Sequence, residues 1–156
     1  MIPEPDLQAE LRAHPFLIGM DDQTIRQVAT CAEPRTYRGG EYLWRQGEAA
    51  GALYVVLEGE INLEIHIPHL GPLMIDRIGA GEALGWSWQV SPHSWKLDAR
   101  ALTPVRAIAL GGESLRAMSD QNHTLGYELL KRLTPLISRR LDAARTRLLH
   151  LEPVAR

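Results

Sequence analysis

Four tryptophans occur in the 156 residues, and three of them, Trp86, Trp88 and Trp95, fall within ten consecutive positions. Indole rings at that density could stack on a purine or another planar ligand; they could equally fill the space such a ligand needs and leave a closed core. His66 and His69 straddle Ile67-Pro68, with Glu60 and Glu64 upstream on the same stretch. That set reads as a hairpin tip rather than a metal cage, because Gly71-Pro72 follows at once and the spacing is wrong for a clustered ligand set. His93 and Ser94 place an imidazole beside a hydroxyl, but adjacent strand residues point to opposite faces and no nucleophile elbow surrounds them. No catalytic residue and no metal ligand is therefore expected. Cys31 is the single cysteine, which excludes an internal disulfide or a Cys-rich zinc or iron–sulfur site within one chain. Between Val28 and Ala32 it reads as packing on the apolar face of a helix.

Side chains of this kind need a scaffold to aim them. With 45% hydrophobic and 23% charged residues the chain is a packed globule of one domain, residues 1–156. A net charge of −2 gives no general attraction to nucleic acid or anionic lipid. The acidic start, Met1 to Asp6, has no signal-peptide pattern, and the longest apolar run, Ala52 to Leu57, is too short to span a bilayer. A cytoplasmic protein without membrane contact is expected. Residues 1–33 read as two short helices, one with Leu7, Leu11 and Phe16, the next capped by Asp21 or Asp22 with Ile25, Val28 and Ala32 on one face. Residues 34–110 turn to period-two alternation, as in Ile61, Leu63 and Ile65 against Asn62, Glu64 and His66, which reads as β structure with one wet face.

Gly-Glu punctuates this middle region at Gly40, Gly47, Gly59 and Gly81. Glycine closes tight turns, and the irregular spacing predicts rolled hairpins rather than a solenoid. Residues 111–152 return to helical period, with Leu115 and Met118 in a short helix and a leucine stripe from Leu125 to Leu151 in a long one. Pro135 predicts a bend there or two helical pieces. Lys131, Arg132, Arg139, Arg140, Arg145 and Arg147 make a basic face, either simply solvated or docking an acidic partner or a nucleic-acid backbone.

The stretch Tyr37-Arg38-Gly39-Gly40-Glu41-Tyr42-Leu43, then Gln46-Gly47-Glu48-Ala49, then Leu53 through Gly59-Glu60-Ile61, resembles the core of the cyclic-nucleotide-binding domain family. Gly81-Glu82-Ala83-Leu84-Gly85 is similar to the start of that family's phosphate-binding cassette, here residues 79–100, and Ala99-Arg100-Ala101-Leu102-Thr103-Pro104-Val105 to the strand leaving it. Gly85-Trp86-Ser87-Trp88 and Asp98-Ala99-Arg100-Ala101 resemble a bacterial stand-alone subgroup related to the catabolite activator and fumarate–nitrate regulators. The resemblance implies an α+β, mainly β fold: an antiparallel double-stranded β-roll, jelly-roll-like, with N-terminal helices and a long C-terminal helix.

It also implies a ligand site on the cassette: Gly81, Glu82, Leu84 and Gly85, then Trp86, Ser87 and Trp88, then Ser94, Trp95, Lys96 and Arg100. Gly85 and Ser87 retain the close approach and small polar side chain that bring backbone N–H groups to a phosphate. Members that bind cyclic AMP or cyclic GMP carry a Glu on the ribose hydroxyl and an Arg on the cyclic phosphate. Here those places fall on Trp86 and on Ser94, Trp95 or Lys96. Two lost charge-assisted hydrogen bonds weaken binding by about 3–6 kcal/mol, so cyclic nucleotide is expected as a weak ligand and no other cofactor is expected.

Lys96 or Arg100 could meet a phosphate in an unusual receptor; a domain with a dead pocket would instead dock a partner protein. The resemblance makes the long helix both the ligand's lid and a homodimer seam, through Leu129, Leu133, Leu136, Leu141 and Leu148. In the related regulators a helix-turn-helix domain follows that helix, and this sequence ends there, so no sequence-specific DNA binding is expected. The expected function is a non-enzymatic regulatory binding module with a degenerate cassette.

Overall fold

The computed structural model describes residues 6–151; the acidic start before Asp6 and the side chain of Leu151, both read above, lie outside the described residues. Helix α1 spans Leu7–Ala13, with the Asp6 carboxylate accepting from the Ala9 N–H at 3.2 Å. Helix α2 spans Asp22–Ala29 and is capped by Asp21, which accepts from the Thr24 N–H at 2.7 Å. The expected helical face ending at Ala32 is corrected. The Gly111 N–H donates to the Cys31 carbonyl and Ala32 pairs with Leu110, so the sheet captures the chain two residues after the helix.

Two four-stranded antiparallel sheets form the roll. One has the order β1 (Ala32–Tyr37), β8 (Val105–Gly111), β3 (Ala52–Glu58), β6 (Ala83–Leu84). The other has β2 (Tyr42–Trp44), β7 (Asp98–Ala101), β4 (Ile61–Ile67), β5 (Gly71–Ile78). Pro34 lies on edge strand β1, where its missing N–H costs no second ladder bond. Gly59 and Gly81 close their turns at φ +95° and +85°, conformations that need glycine. The β4–β5 hairpin turns at His69, as the histidine spacing suggested, with His66 exposed on its arm.

The wet face expected on β4 is corrected at Asn62 and Glu64. Both are buried, and Glu64 is covered by Arg100, which donates to it at 2.7 Å. Leu53, Val55 and Val56 of β3, Ile108 and Leu110 of β8 and Leu115 of α3 (Gly112–Gln121) are core residues without exposed surface. Helix α4 runs unbroken from His123 to Leu151, so the two helical pieces expected at Pro135 are corrected. The proline removes a single N–H, and beside it the Thr134 hydroxyl donates to the Leu130 carbonyl at 2.7 Å. The first half of α4 buries Leu125, Leu129 and Leu133 in this chain's own core.

One contact ties the N-terminal helices to the roll. His14, following α1, is 3% exposed; its Nε2–H donates to the Val56 carbonyl at 2.8 Å and its Nδ1 accepts from the Phe16 N–H at 3.1 Å. The same Val56 carbonyl accepts from the Gly81 N–H at 3.0 Å, where the cassette begins.

Candidate functional site

The cassette's opening is built by β6 and by backbone pairing that returns the chain to an earlier loop. Leu84 pairs with Tyr54 on β3 and is fully buried. Ser94 bridges Ala49, and Trp95 exchanges backbone hydrogen bonds with Gly47 and Glu48, both at 2.9 Å. That pairing drives the Trp95 ring inward, where it stacks on Trp44 of β2 at a centroid distance of 3.8 Å and 11° between planes. Gly85 permits the approach. A Cβ there would lie 2.8 Å from the Trp95 ring, and its φ is +91°. Trp88 is 1% exposed on a 3-10 turn, Ser87–Gln89, and donates its Nε1–H to the Gly85 carbonyl at 2.9 Å. Gly112 makes room for it, since a Cβ there would sit 2.5 Å from that of Trp88.

Between Trp44, Trp86 and Trp95 an apolar cavity of ≈ 60 Å³ remains, lined also by Leu63, Gly85, Ser87, Lys96, Leu97 and, from α4, Arg140. Arg140 lies 5.6 Å from the centroid of the half-buried Trp86 ring and is ion-paired with Asp76 of β5. Burial pushes its guanidinium below its ordinary value, and Asp76 opposes that shift. Arg139 beside it pairs with Asp76 at 3.4 Å and with Glu82. Glu82 in turn accepts from the Gly79 N–H at 2.6 Å. The cassette's first turn, strand β5 and α4 are therefore joined by one set of charges.

Residues 34–122, which hold most of the β-roll and the cassette between β6 and β7, match the family described as cyclic nucleotide-binding domain, more than half of the 156 residues. The chain belongs to that family. A cyclic nucleotide-binding domain from Methylobacillus flagellatus superposes with a TM-score of 0.78 at 21% identity, covering 95% of this chain and 86% of that one. The N-terminal domain of a transcriptional regulator from Streptomyces coelicolor gives 0.67 at 26% identity, covering 85% and 93%. Among curated relatives, the CRP-like cAMP-activated global transcriptional regulator of Mycobacterium tuberculosis is 20% identical over 123 residues. This chain spans 53% of that regulator's length. No helix among the described residues is long and apolar enough to cross a membrane.

Of the cassette residues read from sequence, Gly85, Trp86, Ser87, Trp95 and Lys96 meet at the cavity of this cyclic nucleotide-binding domain. Gly81, Glu82 and Leu84 shape its opening, Trp88 is packed behind it, and Ser94 stands opposite Ala49 in the backbone bridge and does not line the cavity. Arg100 is a correction. It alternates with inward Ala99 and Ala101, so it projects from the outer face of β7 onto Glu64 and takes no part in the cavity. On α4, Leu129 and Leu133 are a second correction: at 2% exposure each they have no surface to give a partner copy. Trp44, Leu63, Asp76 and Arg140 were not read as site residues. Only Arg140 had a local signal, because it continues the buried stripe seven residues after Leu133 and four after Leu136.

Proposed function

We propose that this chain is a non-enzymatic regulatory module whose cassette is degenerate for cyclic nucleotides and whose pocket state is coupled to helix α4. The Trp44–Trp95 stack carries the reading, since it occupies the cavity and leaves ≈ 60 Å³. Ligand pockets that take nucleotide-sized molecules measure about 300–1,000 Å³. Trp86 stands where the family's ribose-binding Glu is expected, and Lys96 is the one cation that the cassette itself brings to the cavity. The coupling rests on Arg139 and Arg140, which tie α4 to Asp76 and Glu82; a change in the cavity reaches the helix through those pairs.

The helix's outer face supplies the output. Tyr127, Leu130, Thr134, Ile137, Leu141, Ala144 and Leu148 recur at alternating steps of three and four and are all exposed. That is the spacing of a two-stranded coiled coil, so a second copy is the expected occupant of this face. The seam thus keeps Leu141 and Leu148 and exchanges Leu129, Leu133 and Leu136, which packs partly buried against the core, for Leu130 and Ile137.

Titrating cyclic AMP and cyclic GMP while following tryptophan fluorescence tests the pocket. Neither should bind tighter than about 100 μM, the level left when roughly 3–4 kcal/mol is taken from a submicromolar site. A saturable micromolar response to either would overturn the degenerate reading. Binding recovered by the pair Trp86→Glu and Trp95→Arg would show that only the anchors had been lost.

A further inference from the structure

Helix α4 has a second side besides the coiled-coil face. Ala143, Arg147 and His150 follow one another at steps of four and three, and at 3.6 residues per turn they lie well round the helix from Leu141, Ala144 and Leu148. That side looks onto β5, which ends its sheet and pairs with β4 alone among the described strands. Between strand and helix runs an open groove, lined by Met74, Ile75 and Arg77 on one wall and by Ala143, Arg147 and His150 on the other.

The charge of this groove is lopsided. Asp76, the acid that lines it, is already held by Arg139 and Arg140. Arg77 is exposed, and its side chain's hydrogen-bond partner among the described residues is the Met74 sulfur at 4.0 Å. Arg147 is half-buried, and neither it nor His150 has an acidic partner among the described residues. Met74, Ile75 and Ala143 are half-buried, so apolar surface is left between these cations. Guanidinium forks match carboxylates, and the apolar surface between them suits an apolar side chain between two acids. A nucleic-acid backbone brings no such side chain, and a net charge of −2 gives it no general attraction.

We propose that the groove between β5 and the second half of α4 docks an acidic segment of a partner protein, in which carboxylates flank apolar residues. A second copy of this chain belongs on the other side of the helix, so both can be seated together. A segment in the groove bridges β5 and the half of α4 that is tied down by Arg139 and Arg140, and the partner thereby reads the position of the helix. Docking here is independent of whether the cassette takes a nucleotide.

The probes are fluorescein-labelled heptapeptides that alternate glutamate with leucine, valine or phenylalanine, their glutamine counterparts, and a labelled oligothymidylate of the same charge, each followed by anisotropy against the full chain. At least one glutamate peptide should bind with a Kd below about 1 mM, and its glutamine counterpart at least tenfold more weakly. Arg77→Gln combined with Arg147→Gln should weaken that peptide about tenfold. Arg38→Gln, at a side chain 93% exposed on the turn between β1 and β2, should leave it unchanged. Should the double variant melt early, the wild type gives the same answer: peptide-dependent amide shifts should be confined to β5 and to α4 beyond Arg139. Failure of every glutamate peptide, an equal loss in Arg38→Gln, shifts spread elsewhere, or tighter binding of the oligothymidylate would overturn the proposal. The cyclic AMP titration reads none of these contacts, so the docking site and the degenerate cassette stand or fall separately.

Discussion

The two halves of helix α4 are held by different physics. From Leu125 to Leu133 the helix turns leucines into the core, where each is 2% exposed or less. From Arg139 onward it is held to Asp76 of β5 and to Glu82 of the cassette's first turn by ion pairs, and it leaves Leu141 and Leu148 at 66% and 57% exposure. Apolar burial is non-directional and tolerates little displacement in a packed core. Ion pairs at a rim are directional, salt-sensitive and worth less. A helix built this way is fixed at its start and adjustable at its end, and the adjustable end is the part that touches the cavity.

Substitutions in each half should separate the two kinds of support. Leu129→Ala should cost about 2–5 kcal/mol, read as a lower denaturation midpoint at unchanged slope. Asp76→Asn leaves the buried Arg140 charge without its partner, at a cost of about 1–3 kcal/mol. Amide exchange should then rise from Arg139 onward while Leu125 to Leu133 stay protected; equal loosening of both halves would erase the distinction. Arg139→Gln removes a half-exposed pair worth about 0.2–1 kcal/mol, and the difference from wild type should shrink as salt rises. Leu141→Glu with Leu148→Glu should leave the monomer's unfolding free energy within about 0.5 kcal/mol and should convert dimers to monomers in light scattering. A wild type already monomeric at tens of micromolar would remove the coiled-coil seam.

The roll, its helices and the cassette's place were legible because they are written locally, in Gly-Glu turns, period-two strands and a leucine stripe. The composition of the cavity was only half legible. Trp44 reaches Trp95 through the register of β2 on β7, where Trp44 pairs with Ala99, and nothing near Trp44 in the sequence announces that pairing. Asp76 faces inward because the β4–β5 ladder shifts register between Leu63 and Glu64, setting Asp76 opposite Leu63. Without that bulge it would be assigned to the wrong face. Arg140 was visible at a core position of the stripe, yet its charge placed it with the solvated face. A buried arginine is intelligible only once its distant acid is known.

The carbonyl of Val56, shared by His14 and Gly81, makes the attachment of the N-terminal helices a matter of protons. His14 donates from Nε2 and accepts at Nδ1, so it is held as the neutral imidazole, and burial lowers its pKa from the ordinary 6.5. The folded state therefore prefers the uncharged ring. Its contribution is complete above the unfolded value of about 6.5 and is lost as pH falls through the folded one, because the unfolded chain then binds the extra proton. Once charged, Nδ1 can no longer accept from Phe16. Mild acid should thus loosen the α1–α2 segment beside the first turn of the cassette, and His14→Gln should flatten this part of the stability profile below pH 6.5.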